Sequence, residues 1–336
     1  MTALTHDRIR SASLPRGGGG GGVSRSGLLL AAVAAASMAL SGALGRGLMD
    51  AGWSSAAAVT ARIWIGALVL TPLAVRQLRG RWGLLLRAWP TLLAYGLVAV
   101  VVCQLAYFNA IAHMQVGVAL LVEYISPVAV VTWLWLRHGQ RPTATTVTGA
   151  AVAAVGLVLV LDLISGAQVS AIGMFWALLA MIGSATYFVM SSDERHGLPG
   201  SVLAAGGLVV GGVGLLLAGA VGAVSFEVSA APVTYQGVEV AWWLPVLALG
   251  VVTAGLSYLT GIAATRRLGS RLASFVAMSE VLAALGWAWL LLGELPRGVQ
   301  LVGGVLILLG VIVVKAGEPT AAPAQSDVVP GPRAAL

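Results

Sequence analysis

The chain has 336 residues, 59% of them hydrophobic and only 9% charged, with a mean hydropathy of +0.95. Soluble domains carry about 25% charged residues, so this composition excludes an ordinary soluble protein and indicates a polytopic membrane protein. The net charge of +7 does not point to nucleic acid, because the arginines fall between apolar runs rather than on one basic face.

Residues 1–26 are polar, with Arg8, Arg10, Arg16 and Arg25 around a glycine tract at 17–22, and read as a disordered cytoplasmic tail. The glycine tract lacks the Lys-Ser/Thr ending of a phosphate loop, so no ATPase activity or ATPase subunit is implied. A basic segment before the apolar run 28–44 also fits a signal peptide. The tail is long for one, and we read 28–44 as an uncleaved first span.

The hydrophobic runs are then 28–44, 56–75, 89–112, 116–136, 147–164, 172–191, 201–224, 242–264, 272–292 and 299–314. A spanning helix needs about 20 mostly apolar residues, so these predict about ten transmembrane helices in an all-α bundle. Residues 316–336, rich in proline and alanine, read as a second disordered cytoplasmic tail. Arg76, Arg79, Arg81, Arg87, Arg137, Arg141, Arg195, Arg266, Arg267, Arg271 and Lys315 fall in one alternate set of loops with the N-terminal tail. Asp50, Glu227, Glu239 and Glu294 fall in the other set, with Arg46 and Arg297. By the positive-inside rule both termini are cytoplasmic.

An offset of 154 residues superposes the two halves: Trp133 falls on Trp287, Trp135 on Trp289, Gly139 on Gly293 and Pro142 on Pro296. Gly96/Gly250, Ala119/Ala273, Gly149/Gly303 and Gly156/Gly310 keep the same register. The chain therefore divides into repeats at 27–165 and 170–315. Five spans per repeat place the halves in opposite orientations, the inverted-repeat plan of secondary transporters.

The segment LLVEYISPV, residues 120–128, concentrates the chemistry. Glu123 lies inside an apolar span, where a carboxylate is costly without a partner or a task. Pro127, on the same helical face, has no N–H for the carbonyl of residue 123, which weakens the turn beside Tyr124 and Ser126. Arg62 and Glu280 are the other charges deep in spans; Asp162 and Glu294 fall at span ends. Arg62 and Glu123 lie at similar depth, about 10 Å below the outer boundary, so an ion pair is in reach if their helices are neighbours. Gln104, Tyr107 and Asn109 could line the same cavity. In repeat register Glu280 matches Ser126, so the two acids are not symmetry mates.

Other features have plainer readings. Trp64, Trp89, Trp133, Trp135, Trp242, Trp243, Trp287 and Trp289 read as an interfacial belt. Glycines at 206–214 imply close helix approach. Cys103 is the only cysteine and the histidines (His6, His113, His138, His196) are scattered, so neither a metal nor a cofactor is expected. No nucleophile–base constellation marks an enzyme.

The pattern resembles the drug/metabolite transporter superfamily, specifically its EamA-type ten-helix members. The likeness is carried by the repeat, by LLLGELPRGVQLVGGVLILLGVIVV at 290–314, by its weaker copy at 136–160, and by TARIWIGALVL at 60–70. VEYISPV at 122–128 and MSEVLAAL at 278–285 are similar to segments of the threonine/homoserine exporter group, except that Val281 replaces a proline and Ser126 a glycine. The resemblance implies proton-driven export of amino acids or similar small metabolites across the plasma (inner) membrane. Efflux of hydrophobic or cationic drugs is the alternative, and a non-transporting membrane scaffold is the alternative of another class.

Overall fold

The computed structural model describes residues 25–113, 119, 122–160, 170–293, 295 and 297–317. Asp162, Glu294 and the tail residues 1–24 and 318–336 lie outside the described residues. Each of the ten apolar runs carries helix. The first two are α1 (Arg25–Asp50) and α2 (Ser55–Leu78), followed by a short α3 (Gly83–Arg87). The third combines α4 (Trp89–Ala94), a π-helical segment Tyr95–Val102 and α5 (Cys103–His113). Then come α6 (Ser126–His138), α7 (Ala144–Val160), α8 (Ala171–Ser192) and α9 (Gly200–Ala220). After a hairpin, β1 (Val233–Tyr235) and β2 (Val238–Val240), the eighth run combines α10 (Trp243–Ala248), a second π-helical segment Leu249–Leu256 and the start of α11 (Ser257–Ala277). α11 kinks at a non-helical Gly269 (φ 78°, ψ 161°) and continues into the ninth run. The last helices are α12 (Glu280–Leu292) and α13 (Gly298–Ala316). Seven stretches of helix are long and apolar enough to cross a membrane unaided; the other runs are shorter or interrupted.

The interruptions correct the sequence reading and obey the repeat. The runs 116–136 and 272–292, expected as continuous helices, are each broken, at Tyr124–Ile125 and at Met278–Ser279. These dipeptides are 154 residues apart. At the first break, Ile125 N–H donates to Val122 O at 3.1 Å and Pro127 occupies the first turn of α6. At the second, Ser279 N–H donates to Val276 O at 3.0 Å, the equivalent three-residue turn. Val281 stands where the first half has proline, so the missing N–H of Pro127 is not the cause common to both. Ser279 Oγ instead caps its own turn, donating to Val276 O at 2.7 Å. The two π segments are also 154 residues apart at both ends.

Cross-packing of the halves follows the same symmetry. α7 lies against α13, so that a Cβ on Gly149 would stand 2.7 Å from Gly310 O and one on Gly156 2.5 Å from Gly303 O. Because Gly149 matches Gly303 and Gly156 matches Gly310, these are one contact made twice across a pseudo-two-fold axis. α2 meets the second π segment through Gly66 and Ala254, and α9 meets the first through Gly211 and Val100. The close approach expected of the glycines at 206–214 is seen where Gly207 packs on Tyr95.

Gly139 and Gly293 have one job. Each ends its helix in the left-handed conformation (φ 67° and 74°), its N–H donating to Trp135 O and Trp289 O respectively. Replacing either by alanine should cost about 1 kcal/mol, because a Cβ is strained at positive φ. Thermal unfolding in detergent should show the two losses adding in the double variant, since the sites lie in different helices.

The loops separate by charge onto two ends of the bundle. At the arginine-rich end Arg266 donates to Leu198 O at 2.8 Å and pairs with Glu194 at 3.5 Å, and Ser201 Oγ donates to Gln77 at 2.8 Å. There the Arg195 side chain, hydrogen-bonded to Asp193, holds that carboxyl down to about 2. This contribution is present at neutral pH and is lost only as pH falls through that value. At the opposite end Trp53 Nε1 donates to Ser229 O at 2.8 Å and Ser54 Oγ to Ser225 O at 3.0 Å. The hairpin there, which the sequence reading did not anticipate, turns on Gln236 and Gly237, both at positive φ. Its Tyr235 hydroxyl donates to Leu44 O at 3.1 Å, and Gln236 Nε2 donates to Trp289 O and Leu290 O at 2.7 and 2.9 Å.

Two tryptophans depart from the expected belt. Trp287 Nε1 donates to Ala36 O at 2.9 Å on α1, and Trp64 packs on Gly212 with its Nε1 buried and unpartnered among the described residues. Trp89, Trp133, Trp135, Trp242, Trp243 and Trp289 are exposed.

Candidate transport site

One cavity of about 420 Å³ is lined from both halves, by residues at or beside both helix breaks and, from the π segments, by Ala99 of the first. A π turn holds one residue more than an α turn and offsets the helix that follows. The offset delivers Cys103 and Gln104 to the cavity wall in the first half, and Ser257 and Tyr258, their register partners, in the second. The breaks supply Glu123, Tyr124 and Ser126 from one half and Glu280 from the other.

Glu123 is the last helical residue before the first break, and Cys103 Sγ approaches its Oε1 at 3.9 Å. The same thiol reaches Ala180 O at 3.6 Å. Glu280 opens α12 and lines the same cavity as Tyr124. The tyrosine of one break and the acid of the other thus share one cavity wall. Ser126 opens α6, is buried, and accepts from Ser184 Oγ at 3.2 Å. Pro127 is buried behind it.

Arg62 does not form the ion pair that its depth allowed. Its Nη1 donates to Gln104 Oε1 at 3.1 Å, and its Nη2 donates to Thr253 O at 2.8 Å and contacts Met38 Sδ. Thr253 lies within the second π segment, where the widened ladder leaves a carbonyl accessible. α2 packs on that segment and on α9, both of the opposite repeat, and Arg62 takes Thr253 O there as a partner. Gln104 also lies in reach of Tyr258. Arg62 Nε, buried, has no partner among the described residues.

Tyr107 lines the cavity. Asn109 does not: its side-chain amide donates to Leu105 O at 2.7 Å, one turn back on its own helix, and six residues beyond Cys103 it stands about 120° around the helix from that face. Tyr258, Ser257, Tyr187 and Ser184 line the wall and were not singled out from the sequence. For Ser257 and Tyr258 the signal was present in their register with Cys103 and Gln104.

Two helical repeats that together enclose a largely apolar cavity carrying a few charged and polar side chains make the architecture of a transporter. The chain belongs to the EamA-like transporter family, whose model matches residues 25–162 and again 171–316. Nothing in that match singles out the threonine/homoserine exporter group. A solved crystal structure shares the fold with a TM-score of 0.68 at 22% identity, over 86% of this chain and 96% of that one. A search of curated proteins gave no match.

Proposed function

We propose that the protein exports amino acids or similar small metabolites across the plasma membrane in exchange for protons, by alternating access of its two repeats. The reading rests on the meeting of Glu123 and Glu280, one beside each helix break, in a single cavity. Half-buried carboxylates without a salt-bridge partner among the described residues are suited to trade a proton for a substrate ammonium. Arg62, fixed by Gln104 and Thr253, keeps a donor for a substrate carboxylate in its unpartnered Nε. Both termini are placed in the cytoplasm, on the side of the arginine-rich loops. A cavity wall bearing Tyr107, Tyr187, Phe188 and Tyr258 gives the drug-efflux reading its one support.

The test is efflux from proteoliposomes loaded with mixed amino acids, with and without an imposed pH gradient. Gradient-dependent loss of a subset of amino acids is the expected result. Loss of cationic dyes alone would favour drug efflux, and loss of neither would favour the scaffold.

A further inference from the structure

The cavity is not closed over at the last turns of α1. Its wall includes Gly42, Gly45, Arg46 and Met49, which follow one face of the helix. A Cβ at Gly42 or Gly45 would meet nothing within 4 Å, so no side chain stands between Arg46 and the deeper wall at Met38 and Ala39. Arg46 is charged, its side chain is 61% exposed, and its one ion pair is a loose contact of Nε with Asp50 at 3.8 Å. Glu123, Glu280 and Arg62 are the other charged residues of the wall. Arg46 is thus the cation of the cavity's mouth, at the end of the bundle opposite the arginine-rich loops.

The backbone under Arg46 is pinned. Tyr235 of the hairpin packs on Gly47, and its hydroxyl accounts for Leu44 O, so both neighbours of the Gly45–Arg46 step are tied to the same ring. A Cβ at Gly47 would stand 2.6 Å from that ring, leaving the turn no room to rotate. The hairpin therefore holds the helix with residue 46 toward the cavity, while the long side chain keeps its own freedom.

We infer that Arg46 selects substrates by charge at this mouth, drawing molecules that carry net negative charge or a leading carboxylate and turning away net cations. The inference deepens the proposed transport of amino-acid-like metabolites and rests on it for the identity of the cargo. A half-exposed charge acts on encounter more than on the bound state, so its effect belongs in apparent KM and weakens with salt.

The experiment is counterflow in proteoliposomes, comparing external glutamate, alanine and lysine at low and high salt. For Arg46→Gln, the glutamate-to-lysine ratio of kcat/KM should fall about tenfold at low salt through KM, with alanine little changed. Arg46→Glu should lower the ratio further, Arg46→Lys should preserve it, and high salt should shrink every difference. Asp50→Asn separates selection from mere support. It removes the same contact yet should raise the ratio, whereas a structural role predicts the same change as Arg46→Gln. An unchanged ratio in Arg46→Gln and Arg46→Glu overturns the inference.

A second readout needs no substrate. In a Cys103→Ser background, Gly42→Cys places a thiol in open space one turn below Arg46, to be labelled with anionic and cationic methanethiosulfonates. Arg46→Gln should shift their rate ratio toward the cationic reagent by several-fold. If that shift appears while none of the three amino acids exchanges, the transport reading fails and the charged mouth stands. If the ratio does not shift, the mouth does not select charge, whatever is transported.

Discussion

Glu280→Gln should abolish pH-gradient-driven efflux, lowering its rate at least about tenfold, while the purified protein keeps its unfolding temperature within a few degrees. Glutamine conserves the volume of the side chain in the cavity wall that it shares with Tyr124. What disappears is the group that binds and releases a proton. Glu123→Gln should have an equal effect on gradient-driven efflux, with the contact to the Cys103 thiol perturbed in the wall. Counterflow, which needs no proton, distinguishes their shares. Retained counterflow marks the carboxylate that serves the proton, and lost counterflow marks the one that holds the substrate. Full gradient-driven transport in both variants would sink the proton-exchange mechanism.

Gly310→Leu should destabilise the protein by about 3 kcal/mol or more, the upper end for over-packing, because its Cβ would meet backbone rather than yielding side chains. That Cβ would lie 2.6 Å from Gly149 O and 2.6 Å from Ala153 N. Gly156→Leu should act alike, since the same crossing of α7 and α13 is closed there against Gly303 O. The two helices touch over their length with no polar side chain at these points, so association depends on backbone proximity. Gly42→Leu is the control: its Cβ enters open space, and its unfolding in detergent should match the parent. A stable Gly310→Leu protein would show that the crossing is not needed to hold the repeats together.

Much of this fold was legible because bilayers constrain backbone so strongly. Runs of apolar residues and the arginine pattern gave the helices, and the Trp, Gly and Pro pairs gave the repeat. The helix breaks were half legible. Pro127 announced the first, but the second rests on a serine hydroxyl returned to its own turn, a choice that many serines in helices do not make. The π segments left no residue signature, since Tyr95–Val102 and Leu249–Leu256 read as ordinary apolar helix. Asn109, named with Gln104 and Tyr107 as able to line the cavity, lies off its wall and donates to Leu105 O instead. Arg62 shows the limit from another side: its depth in a span can be reckoned from sequence, but which groups meet it from the opposite repeat cannot.

The pseudo-two-fold axis relates backbones far better than side chains. Breaks and π turns recur at the same register, yet Gln104 faces Tyr258, Ser126 faces Glu280 and Pro127 faces Val281. If the halves trade shapes during a cycle, the two end states have matching frames but unequal linings. A molecule arriving from one side would meet the acid, tyrosine and serine of the first break in an order that its counterpart from the other side does not. Half-saturation should then differ between the two faces even with no gradient applied, and the duplicated scaffold would work as a kinetic rectifier.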